Sequence, residues 1–159
     1  MNGSFEAGLV ETRAALALNP NNAQLIASYG AALAHAGHPG EAIEPLRQAM
    51  RASPHDPLTW HWVNWVGMAQ LHNRDFEYAL ETYRPSVQRD PEHFSANLNI
   101  AVALGPLGRR QEARAALDHL RAQFPEQLRQ FQQRRPTQYS LKDYVLRIEG
   151  LRLAGLPEE

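Results

Sequence analysis

The side chains able to do chemistry are scattered along the chain. Histidine is the most suggestive of them, with seven in all. His35 and His38 stand three apart, and His61 precedes His72 by eleven residues, spacings at which imidazoles could share a metal ion. His35 and His38, however, fall at a predicted helix end and turn, and no carboxylate sits at a matching helical position to complete a site. Glu41, Glu44, Glu77 and Glu81 are spaced for solvated helix faces rather than for a catalytic pair converging in a pocket. There is no glycine-rich phosphate loop, no HExxH, and no serine in a recognisable nucleophile motif. The basic residues Arg109, Arg110, Arg129, Arg134 and Arg135 are interleaved with Gln and Glu and have few aromatics beside them, so they read as solvated surface rather than a nucleic-acid track. No catalytic residue, cofactor site or metal ligand set is expected. Binding is the chemistry left to consider.

Trp60, Trp62 and Trp65 need separate weighing, since aromatics are favoured both in cores and as interface anchors. Three within six residues cannot face one side of a helix. Trp62 and Trp65 could share a face while Trp60 points elsewhere, and at least two are expected to pack inside the fold.

The elements that must position these residues are helices. At 159 residues, 43% apolar and 21% charged, the chain has the balance of a soluble folded protein. Its net charge of -1 gives no electrostatic reason to expect nucleic acid or an anionic membrane. With no cysteine there is no disulfide framework and no thiolate chemistry, in keeping with a reducing compartment. The opening MNGSFEAGLVETR lacks the basic-then-apolar order of a signal peptide, and the apolar runs are too short to span a bilayer. A cytoplasmic location is expected.

The chain repeats. Prolines 20, 54, 91 and 125 follow one another at 34, 37 and 34 residues, each stopping a helical pattern. Within each interval a small residue precedes an alanine by twelve positions: Gly30 and Ala42, Gly67 and Ala79, Ala101 and Ala113. Twelve residues span one helix end, a turn and the next helix start. Small residues at both places let the two backbones approach, with Tyr29 and Leu46 filling the space beside the crossing.

These residues resemble the tetratricopeptide repeat (TPR), a helix hairpin with the pattern W-x2-L-G-x2-Y, then A-x3-F, then P. The first full copy reads Ile26, Tyr29, Gly30, Leu33, Ala42, Leu46, Pro54. The second reads Val63, Val66, Gly67, Gln70, Ala79, Tyr83, Pro91, with three extra residues predicted to lengthen its first helix by about a turn. The third reads Asn97, Ile100, Ala101, Leu104, Ala113, Leu117, Pro125; Gln70 and Asn97 depart from the apolar pattern. The resemblance implies an all-α fold, a right-handed superhelical array of antiparallel hairpins. Its parts would be 3–20 (the second helix of a truncated repeat), repeats 23–56, 57–93 and 94–127, and degenerate closing helices over 128–159. Pro45 and Pro85, inside second helices, are expected to bend or open them.

The resemblance also implies where a partner binds, since first helices of TPR repeats line a concave groove. Carried over, the groove positions are Gln24, Ala27, Ala31, Ala34 and His35, then His61, Asn64, Met68, Leu71 and His72, then Ser95, Leu98, Val102 and Pro106. TPRs that clamp a terminal carboxylate use Lys and Asn where Ala27, Ala31 and Ser95 stand here. A peptide with small or aromatic anchors is expected instead.

The two ends differ. Gly3 to Asn19 matches a second helix whose first helix is missing, and Phe5, Leu9 and Leu16 look like packing residues; an excised longer protein is the preferred reading over a natural cap. After Pro125, LRQFQQRR is predicted to be helical up to Pro136, and Ser140 with Asp143 suggests a cap for a helix over 141–153, with an inward stripe of Leu141, Tyr144, Val145, Ile148 and Leu151. The run Gln111 to Leu117 and the ending Glu149 to Glu158 are similar to the C-terminal TPR region of bacterial class III adenylate cyclases and to TPR-containing winged-helix regulators. That similarity implies a partner-binding module of a bacterial signalling protein, with any catalytic or DNA-binding domain outside this chain. The alternative is self-association, as a homodimer, through the open N-terminal edge.

Overall fold

The structure is a computed structural model; it describes residues 3–136 and 141–157, with side chains from residue 6 onward. Ser140 and the side chain of Phe5, assigned roles above, lie outside that description. Among the described residues the chain forms helices and no strands. It divides into two compact units, residues 1–74 and 75–159, and the division falls inside the second copy of the repeat.

The first unit contains α1 (Gly3–Leu18), α2 (Ala23–Ala36), α3 (Pro39–Ala52) and α4 (Thr59–His72). Local chemistry sets the start of α2, where the Asn22 side-chain oxygen accepts from the Leu25 N–H at 3.0 Å. Its end is set by Gly37 at φ 95°, with Gly37 N–H donating to Ala34 O and His38 N–H to Leu33 O, a Schellman pair that a left-handed glycine makes cheaply. Pro39 then opens α3, where its missing N–H costs nothing. The hairpin closes as the spacing predicts: a Cβ built on Gly30 would stand 2.7 Å from Leu46 Cγ and 3.1 Å from Ala42 O. Ile26, Leu33, Ala42, Leu46, Ala49, Trp62 and Val66 form the core, and Leu9 anchors α1 to it.

One expectation fails here. α4 is 14 residues long, the same as α2, so the extra residues of the second copy do not lengthen the helix. Two of them sit in a longer connection, residues 53–58 against 19–22, and the third in the turn 73–75 against 37–38. In the connection Asp56 Oδ1 accepts from Leu58 N–H at 2.8 Å and Asp56 O accepts from Thr59 Oγ1 at 2.7 Å. That turn fixes where α4 begins. The internal prolines do not end their helices: α3 runs through Pro45, and the helix Phe76–Arg89 runs through Pro85. Each proline removes one hydrogen bond, and the rest of the helix carries the turn.

The second unit contains α5 (Phe76–Arg89), α6 (Phe94–Leu104), α7 (Arg110–Gln123), α8 (Pro125–Gln133) and α9 (Leu141–Leu153). Ala101 and Ala113 are buried where α6 and α7 pack. Asn97, an anomaly in the sequence pattern, is buried and satisfied: its Nδ2 donates to Pro91 O at 2.9 Å and to His93 O at 3.1 Å. The residue ties down the connection before α6 instead of filling the core. On the surface Arg109 reaches Glu77 at 2.9 Å and Glu112 at 3.9 Å, while Arg84 reaches Glu112 at 3.2 Å, a network joining α5 to α7. Gly155, at φ 109°, closes α9 with a second Schellman pair, Gly155 N–H to Arg152 O and Leu156 N–H to Leu151 O.

α9 keeps Leu151 inward and Tyr144 and Ile148 half-buried, as expected, but is rotated so that the rest of the expected stripe faces out. Leu141 and Val145 are 48% and 42% exposed, whereas Gly150, Leu151 and Ala154 are buried. The reason is a close backbone crossing with α6. A Cβ on Gly105 would lie 2.2 Å from Gly150 O, and one on Gly150 would lie 2.5 Å from Val102 O. Only a glycine on each helix permits that approach, and it rotates α9 so that Gly150 faces α6.

Candidate partner-binding surface

The repeat-packing residues lie inside. Gly30, Ala42, Leu46, Gly67, Ala79, Tyr83, Ala101, Ala113 and Leu117 are buried, and Tyr29 is half-buried with its hydroxyl accepting from Arg13 Nη2 at 3.3 Å. Burial raises the pKa of the Tyr83 phenol above its ordinary value, against the opposing pull of the Arg147 guanidinium and a hydrogen bond from Asn99.

The expected contact residues separate into two groups. In residues 1–74, Gln24 and His35 are exposed on α2, and His61, Asn64, Met68 and His72 are half-buried on α4. Spacings of three, four and four residues bring those four to one side of α4. Ala34 is half-buried, but Ala27 and Ala31 are buried and offer a ligand nothing. In residues 75–159, Ser95 and Pro106 remain half-buried.

Leu71, Leu98 and Val102 correct the sequence reading, because all three are buried in the fold. Leu71 lies at the edge of the Met68 and His72 side, about 100° around α4 from His72, and is covered by the fold. Val102 is covered because α9 lies across α6 at that residue. The face of α6 that a partner was expected to occupy is filled by the chain itself.

One feature of α4 was not included among the contact positions. Trp62 is 2% exposed and Trp65 packs against the core, but Trp60 is 48% exposed. Its ring stacks on His61 with centroids 3.3 Å apart, and His61 in turn lies 6.4 Å from Trp65. The result is a short aromatic ladder at the start of α4, ending on a half-open indole. The signal available in sequence was Asp56, whose turn sets the first residue of α4 and so the side from which Trp60 emerges.

Several of the carboxylates and arginines singled out for possible chemistry are paired at the surface. His38 pairs with Glu41 at 3.2 Å, Arg51 with Glu44, and Arg129 with Glu126 at 2.7 Å. Hydrogen bonds from Arg129 and Gln130 hold the Glu126 carboxyl below its ordinary pKa. Among the described residues no three His, Cys, Asp or Glu side chains gather to hold a metal ion. No described helix is long and apolar enough to cross a membrane.

No protein-family model matches the chain, and no curated protein matches it in sequence. Solved structures do. The crystal structure of MamA superposes with a TM-score of 0.68 over 96% of this chain and 85% of its own, at 17% identity. The MamA RS-1 ArsTM double mutant gives 0.70 over 96% and 84%, and MamA MSR-1 C2 gives 0.66 over the same shares, both also at 17% identity. The fold is TPR-like. At that identity the likeness is one of architecture: an all-α chain of antiparallel helix hairpins, as the sequence period implies.

Proposed function

We propose that this TPR-like chain is a protein-interaction scaffold that holds a partner segment along α2 and α4. One observation carries the reading. Across their 14 residues each, α2 and α4 contain no Asp, Glu, Lys or Arg, yet they present Gln24, His35, His61, Asn64, Met68, His72 and a half-open Trp60. A surface helix in water is ordinarily dressed with charge. A neutral one that leaves an indole half exposed has the composition of an interface centre, where charge is depleted and Trp is enriched.

The test is selection of a peptide-display library on the intact protein, followed by affinity measurements on purified binders. Replacing Asn64, Met68 and His72 together with alanine should abolish binding while the far-UV circular dichroism stays helical. Unchanged affinity rejects this surface. The proposal has two finer parts. The C-terminal run from Glu149 supports membership of a bacterial signalling protein such as an adenylate cyclase, or less readily a transcriptional regulator. The residues encoded before Met1 test that. The lack of cysteine supports a cytoplasmic setting. A second reading, self-association through α1, is favoured by Leu18 and Val10, which are 90% and 67% exposed. Light scattering that shows a monomer across a wide concentration range excludes it.

A further inference from the structure

α9 is apolar on two sides. Its inner side, Gly150, Leu151 and the following Ala154, is spent on α6 and the core. Its outer side carries Leu141, Val145, Ile148 and Arg152, spaced four, three and four residues, the seam of a two-helix coiled coil. With α8 and the chain after α9 forming a wall, the seam residues Val145, Ile148 and Arg152 line a trough of about 240 Å³ together with Gln132, Tyr144, Glu149 and Leu156. An apolar seam in a trough of mixed polarity at the end of a helix stack is a docking face.

The charges along the seam say what docks there. Lys142 and Glu149 are exposed, stand seven residues apart, and flank the same edge of the seam. In an antiparallel helix pair, residues on one edge meet the same edge of the other helix in reversed order. Two identical copies of α9 set antiparallel therefore bring Lys142 of each against Glu149 of the other, twice. Val145 of one falls in a layer with Ile148 of the other, and Leu141 with the aliphatic stem of Arg152. A parallel pair brings neither match. We propose that α9 pairs two copies of this chain antiparallel about a two-fold axis, through Leu141, Val145 and Ile148, with register set by Lys142 and Glu149.

The seam is short, so the dimer is a weak one that forms and separates with concentration. Sedimentation equilibrium of the intact chain should show a reversible monomer–dimer equilibrium. Lys142→Glu and Glu149→Lys each turn both ion pairs into like-charge contacts, and each should weaken the dimer about tenfold. Mixing the two variants restores every contact in the mixed pair, so the mixture should form a heterodimer at least as tight as the wild-type dimer. Both positions are exposed, and unchanged circular dichroism confirms that the fold is kept. Val145→Asp should leave the protein monomeric. A wild-type chain that is monomeric at millimolar concentration overturns the proposal, as does a dimer indifferent to both charge reversals or a mixture that fails to recover association. A dimer that survives Val145→Asp but is lost on Leu18→Asp assigns association to α1 and equally overturns it.

Discussion

Replacing Gly150 with alanine sets helix propensity against packing, and the structure decides the sign. Alanine is favoured over glycine in a helix interior by about 1 kcal/mol, so propensity alone makes the variant more stable. The added Cβ would meet Val102 O at 2.5 Å, Val102 Cγ1 at 2.8 Å and Val102 Cα at 2.9 Å. Two of those atoms are backbone and cannot turn aside, so α9 must retreat as a body. Overpacking of this kind costs about 1–3 kcal/mol, with the upper part of the range applying where backbone is the obstacle. Complete release of α9 would instead expose Leu151 and Leu156, at about 2 kcal/mol each. A shift is cheaper than release. The net expectation for Gly150→Ala is a loss of about 1–2 kcal/mol, read from urea denaturation followed by circular dichroism, with faster amide exchange over residues 144–156. Gly8→Ala supplies the opposite case, since nothing lies within 4 Å of a Cβ there, and it should gain about 0.5–1 kcal/mol. If Gly150→Ala matches or exceeds the wild type in stability and α9 keeps its exchange protection, the close crossing with α6 is wrong.

Trp62→Ala should cost about 3–5 kcal/mol in thermal or urea unfolding, while Trp60→Ala costs under about 0.5 kcal/mol and acts on partner binding instead. Asn97→Leu restores the apolar repeat pattern but strips Pro91 O of its side-chain donor and leaves His93 O with the backbone N–H of residue 97 alone, and denaturation should show a loss of about 1–2 kcal/mol. Tyr83 is protonated when buried and its folded pKa lies above the unfolded value of about 10. Its stabilising contribution is therefore complete below that pH and declines as the solution becomes more alkaline. Denaturation midpoints measured from pH 8 to 11 should fall for the wild type and fall less for Tyr83→Phe.

The repeat was legible because its signals are local and redundant. Proline stops recur, and Gly30 lies against Leu46 and Ala42 because the twelve-residue spacing demands a close crossing. Helix bounds at 141–153 followed from caps and periodicity in the same way. What escaped the sequence depends on contacts between distant segments. α9 carries apolar residues on both sides, so periodicity could not say which side turns inward. Gly150 reads in sequence as a weak point of the helix and is in fact its contact with Val102 and Gly105. The burial of Val102 follows from the same crossing, and that of Leu98 and Leu71 from packing that no single-helix pattern records. Asn97 looked like a defect until its two acceptors were in place. The three extra residues of the second copy could lengthen a helix or its connections equally well; two lie in the connection that the hydrogen bonds of Asp56 hold and one in the turn 73–75.

The crowding of Trp60, Trp62 and Trp65 into one stretch of α4 has a spectroscopic consequence. These are the chain's three tryptophans, so residues 75–159 contain none and are represented in the near ultraviolet only by tyrosine and phenylalanine. Indole emission is thus a reporter of residues 1–74 alone, whereas the peptide signal at 222 nm reports the helices of both units. Overlaying the two melting curves measures how tightly the units are coupled in unfolding. Coincident midpoints would make the chain one cooperative body, and separated midpoints would assign each unit its own stability without a label or a truncation.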